Sequence, residues 1–113
     1  MEPRLILVLC TVPDLASAER IAHVLVEARL AACVNIVPGV RSVYRWHGAV
    51  EAANELQLVI KTVAERYHTV EETIRTHHPY ALPEIIAVPV SEGAPAYLRW
   101  VAEESRGQDT FHV

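Results

Sequence analysis

Leu5-Ile6-Leu7-Val8-Leu9-Cys10-Thr11-Val12, followed at once by Pro13-Asp14, is the stretch that decides the architecture of this chain. The run is apolar at odd and even positions alike, so a strand built from it has no face to turn to water and belongs inside a sheet. Asp14 then offers a carboxylate to the free N–H groups at the start of a helix. Beyond it, Leu15, Ala18, Ile21, Ala22, Leu25 and Ala28 recur at three- and four-residue steps, leaving Glu19, Arg20, His23 and Glu27 outside. A buried strand followed by an amphipathic helix is the opening of an α/β unit.

The rest of the chain repeats that grammar. From Cys33 to Trp46 β-branched and aromatic residues dominate, and Pro38-Gly39 interrupts them, which predicts a long strand that is bent or bulged. After His47-Gly48, the stretch Glu55–Thr62 alternates, with Leu56, Leu58 and Ile60 on one side and Gln57, Val59 and Lys61 on the other. This predicts the second arm of a hairpin. A helix is expected over Ala64–His78, carried by Tyr67, Val70, Ile74 and His77 and ended by Pro79. Ile85–Val90 reads as a short strand whose Pro89 suits an edge, and Pro95 opens a last short helix carried by Tyr97, Leu98 and Val101. The tail from Gly107 to Val113 carries no assignment.

The predicted order is β-α-β-β-α-β. With right-handed crossovers it gives an α+β sandwich of ferredoxin-like type, a four-stranded antiparallel sheet with both helices on one face and a short C-terminal helix appended. The 113 residues form a single domain. The second sheet face is then bare, and another copy of the same chain is its simplest cover. A homo-oligomer is expected.

Composition narrows the function. A formal charge of -4 and a pI near 5.8 disfavour nucleic acid and anionic membranes as partners. No stretch approaches the roughly 18 apolar residues of a membrane span, and no secretory leader precedes the first strand, so a cytoplasmic location is expected. Cys10 and Cys33 are expected as free thiols, since small secreted domains carry more cysteines. No nucleophile elbow, phosphate loop or dinucleotide fingerprint occurs, and Asp14 would repel a phosphate held after the first strand. The chain reads as a binding protein, not an enzyme.

His77-His78-Pro79-Tyr80 is the most unusual local sequence. Adjacent helical residues diverge by about 100°, so one imidazole can enter the core while the other faces a cleft. Cys10 can join them if the end of the second helix returns to the first strand, and a thiolate with imidazoles favours copper or zinc. The competing reading is structural: histidines favoured at a helix C-terminus, and Cys10 a small buried hydrophobe. Tyr44 and Trp46 share one side of the second strand, as pocket lining or as interface packing. Glu51, Glu55 and Lys61 are charges of the kind that guard a strand edge or meet a ligand.

Taken together in this order, Cys10-Thr11-Val12-Pro13-Asp14, Leu30-Ala31-Ala32-Cys33-Val34-Asn35, Pro38-Gly39, Tyr44-x-Trp46-x-Gly48, Glu51, Glu55, Lys61-Thr62, His77-His78-Pro79-Tyr80 and Pro83-Glu84 resemble the CutA divalent-cation tolerance family. The resemblance implies a homotrimer, similar to the nitrogen-regulatory PII-type signalling proteins, with strands extended across subunit boundaries. It implies a role in tolerance to copper and other divalent ions such as zinc. Its copper ligands fall on Cys10, His77 and His78. The PII-like fold also implies an alternative, a small-ligand sensor or adaptor with a cleft between subunits near Tyr44, Trp46, Lys61, His78 and Glu84.

Overall fold

In the computed structural model, which describes residues 3–107, the apolar run forms β1 (Leu5–Val12) and lies between two other strands, as its two-sided hydrophobicity requires. The remaining elements are α1 (Leu15–Glu27), β2 (Cys33–Trp46), β3 (Ala49–Val63), a 3-10 turn over Ala64–Arg66, α2 (Tyr67–His77), β4 (Ile86–Pro89) and α3 (Pro95–Glu104). The sheet order is β2-β3-β1-β4, antiparallel throughout. This is the expected α+β sandwich. The tail residues 108–113, unassigned in the sequence, lie outside the described residues.

Alternation sets the two faces. Val8, Cys10 and Val12 of β1 stand beside Leu58 and Ile60 of β3, and they meet Ile21 and Leu25 of α1 and Val70 and Ile74 of α2. All nine are fully withdrawn from solvent, and they are the centre of the core. α1 starts where Asp14 accepts the Ser17 N–H at 2.7 Å, a bond that also holds the Asp14 carboxyl below the usual carboxylate range. α2 ends at His77 because His78, preceding Pro79, is extended with ψ 135°.

Four expectations need correction. β3 begins at Ala49, not Glu55, because Ala49–Asn54 continue the ladder to β2 despite their weak strand preference. The device that permits this is the His47-Gly48 turn, both residues at positive φ (49° and 83°), the two-residue reversal whose twist matches the strands it joins. The helix expected over Ala64–His78 splits into the 3-10 turn and α2, and β4 is trimmed to four residues. The second sheet face is not wholly bare either. α3 packs on β1 and β3, and Lys61, on the face turned from α1 and α2, sets its Nζ 5.7 Å from the Tyr97 ring. Leu7, Leu9 and Val59 stay partly exposed on that face, beside Ile86 and Val88.

Truncating Leu58, fully buried opposite Cys10, opens a cavity in the core cluster that β1 and β3 share with the two helices. Leu58→Ala is expected to lower unfolding stability by about 2–5 kcal/mol, read from urea midpoints, whereas Leu15→Ala, 56% exposed, should cost far less.

Candidate functional site

Cys10 sits on the core face of β1 and is fully buried. Burial first, and then the charges of Glu84 and Glu55, push its thiol up to about 12. At neutral pH it is therefore a thiol rather than a thiolate. Cys10 and Cys33 are both free, as expected.

The paired histidines diverge as helical geometry requires. His77 closes α2 with Nδ1 donating to the Thr73 carbonyl, one turn back, at 2.9 Å. His78 turns inward, 9% exposed, and its Nε2 lies 2.7 Å from the Thr11 carbonyl. A carbonyl can only accept, so Nε2 carries the proton, and Nδ1 accepts the Tyr80 N–H at 3.1 Å. Thus the expected return of α2 to β1 takes place, one residue beyond Cys10. Both His78 nitrogens are spent in making it. Among the described residues no group of three or more His, Cys, Asp or Glu side chains is arranged to hold a metal ion, so Cys10, His77 and His78 form no open ligand set in this arrangement.

The same corner holds a pair that sequence reasoning missed. The Tyr80 hydroxyl donates to Glu55 Oε2 at 2.8 Å, and Glu55 is only 8% exposed. Burial and the Glu55 carboxylate push the Tyr80 phenol up to about 12, so it stays a donor. The signal available was Glu55 itself, the one acid in the alternating part of β3, but no pattern links it to a residue 25 positions away. Thr11, His78, Tyr80 and Glu55 thereby tie β1, the segment after α2 and β3 into one corner.

The other candidates are scattered. Tyr44 and Trp46 are each 40% exposed near the hairpin end, where the Tyr44 hydroxyl reaches Glu51 Oε1 at 3.5 Å. Lys61 lies at the opposite end of β3, and Ala49 to Lys61 spans about 40 Å at roughly 3.3 Å per residue. One chain cannot place Tyr44 and Trp46 beside Lys61. The charge of Glu84, before β4, acts on the Cys10 thiol.

Residues 6–104 match the family described as CutA1 divalent ion tolerance protein. This chain belongs to that family. A divalent-cation tolerance protein CutA from Thermus thermophilus is 49% identical over 98 residues, 87% of this chain and 95% of its own length. The crystal structure of CutA from Xylella fastidiosa superposes with a TM-score of 0.87 at 50% identity, covering 88% of this chain and 96% of that one. The periplasmic divalent cation tolerance protein CutA from Archaeoglobus fulgidus gives 0.88 at 38% identity, covering 90% and 99%. These CutA proteins are named for cation tolerance and not for a catalysed reaction. The four-stranded α+β fold is shared with them.

Two outcomes are expected of the corner. In the native chain at neutral pH an alkylating reagent should label Cys33, which is partly exposed, and spare Cys10 until denaturant is added, as peptide mass spectrometry would show. His78→Ala should lower stability by roughly 1–3 kcal/mol, because it strands the Thr11 carbonyl and the Tyr80 N–H, and His77→Ala should cost less. Paired urea titrations compare them.

Proposed function

We propose that this CutA-family chain serves tolerance to divalent cations by binding copper, with zinc as the second ion, as a cytoplasmic homotrimer. The observation that carries the reading is the meeting of His78 with Thr11, which brings the His77-His78 pair to the residue beside Cys10 across 67 positions of sequence. One thiol and two imidazoles are soft to borderline donors that suit copper and zinc and not magnesium or calcium. As they stand they are closed, so binding through Cys10, His77 and His78 must displace the thiol proton and free a His78 nitrogen. The trimer is supported by apolar surface that a lone chain leaves wet, including Val43 at 68%, Val50 at 65% and Ile86 at 52% exposure. Among the described residues no helix is long and apolar enough to cross a membrane.

A second reading is favoured by one distance. Tyr44 and Trp46 can share a cleft with Lys61 and Glu84 only if the hairpin of a neighbouring copy supplies them, as a PII-like sensor of small ligands would require.

Calorimetric titration of the assembled protein with copper tests the first reading, with solution mass measured alongside. The expected result is stoichiometric binding that weakens by about tenfold or more in Cys10→Ala and in the His77→Ala/His78→Ala double variant. Equal binding by those variants overturns the ligand assignment, and the mass of a single chain overturns the trimer. A metabolite that raises the melting temperature in the presence of a chelator would favour the second reading.

A further inference from the structure

The break in β2 has a consequence for the surface beside it. Val37 stands opposite Gln57 and Val40 opposite Glu55, so Pro38-Gly39 face the single residue Leu56. Gly39 absorbs the extra residue at φ 80°. Between this bulge and the start of α1 lies a groove of about 660 Å³, walled by Pro13, Leu15, Ile36, Pro38, Val40 and Leu56. Glu55 forms part of its lining, with Glu19 and Asn54.

Glu55 is the unusual member. At 8% exposure its carboxylate is largely withdrawn from water, which is costly without compensation. Only Oε2 receives a donor, the Tyr80 hydroxyl, while Oε1 takes no hydrogen bond from the described residues and is not sealed from solvent. Arg41 is engaged with the lining residue Asn54, at Oδ1, over 3.0 Å, and Arg20 with the His77 carbonyl at 3.2 Å. Glu19, 53% exposed on the α1 side, adds a second negative charge that it shares with His23. The groove thus joins apolar walls to an unmatched negative charge. A hydrated divalent ion fits poorly, since no three-donor group exists among the described residues and the walls cannot replace its water.

We propose that this groove binds a small organic cation, a primary ammonium on an apolar stem, with the charge at Glu55 and the stem along Leu15, Ile36 and Val40. The site uses none of Cys10, His77 and His78 as ligands, although Tyr80 joins Glu55 to His78, and occupancy of the groove requires no copper.

Hexylammonium, titrated into the assembled protein with a chelator present and followed by amide chemical shifts, provides the test. Saturable shifts confined to Leu15, Ile36, Val40 and Leu56 are expected, with hexanol binding about tenfold more weakly. Glu55→Gln should reduce ammonium affinity about tenfold and leave hexanol unchanged. Leu15→Lys, at a position 56% exposed and thus safe for folding, should displace hexylammonium with an ammonium of its own. Cys10→Ala should bind hexylammonium normally, so that loss of the copper reading and loss of this one are told apart. The proposal is overturned if shifts do not saturate in the groove, if hexanol equals hexylammonium, if Glu55→Gln and Leu15→Lys change nothing, or if a divalent ion occupies Glu55 instead.

Discussion

β1 has no polar face, and most of the molecule follows from the need to cover it on every side. Its edges are closed by β3 and β4, and its inner face by Ile21, Leu25, Val70 and Ile74. Two helices on one face leave the other to find cover elsewhere. α3 supplies part of it, from the end where Lys61 meets Tyr97. A chain with a larger polar content in β1 would not need α3 or a partner. This one leaves Leu7, Leu9, Ile86 and Val88 at least partly in water. Burial worth roughly 25 cal/mol per Å² therefore still awaits an occupant of that face.

The same strand organises the chemistry. Its last residues carry Cys10 into the core and present the Thr11 carbonyl beyond the end of the pairing with β4, which stops at Leu9 with Ile86. An orphan carbonyl in a buried corner needs a donor, and His78 supplies it. This bond fixes the ring, which then orders the Tyr80 backbone, and the Tyr80 hydroxyl in turn restrains Glu55. A structural need at the end of β1 is thus met by the residue types that also suit a soft metal ion. The two uses compete for His78, whose Nε2–H is given to the Thr11 carbonyl and whose one lone pair, on Nδ1, already takes the Tyr80 N–H. Any ion that took it would have to offset the loss of that hydrogen bond and the disorder it spreads to Tyr80.

Element order, the N-cap at Asp14, the bulge at Pro38-Gly39 and the free thiols were legible in the sequence because each is set by local chemistry: a continuous apolar run, a short acid, an imino ring beside glycine. The start of β3 was not. Ala49–Asn54 read as a poor strand on propensity and are recruited by pairing across a turn whose positive φ at His47 no composition rule announces. For the site, the convergence of the His pair on β1 was legible from topology, since α2 must return before β4 begins. The state of the ligands was not. Whether a histidine nitrogen is free depends on which carbonyl lies within 3 Å of it, and that is a property of packing.

Past the bulge the sheet becomes a two-stranded arm, for β1 stops pairing at Val12 with Leu56 while β2 and β3 run on together to Trp46 and Ala49. Two-stranded ribbons are marginal alone in water. This one also exposes Val43 and Val50 and half-exposes Tyr44 and Trp46, so its own contacts do little to hold it. The extents of the fold, 50 × 33 × 22 Å, show how far it departs from a sphere. An arm of this kind is ordered economically only if another surface lies along it, which in the proposed trimer is a neighbouring copy. The groove with Glu55 opens where that arm leaves the sheet. A ligand seated there would brace the bulge against α1 and so set the angle at which the arm meets its neighbour. Occupancy of the groove and assembly of the chain would then be linked through the single glycine that turns the strand.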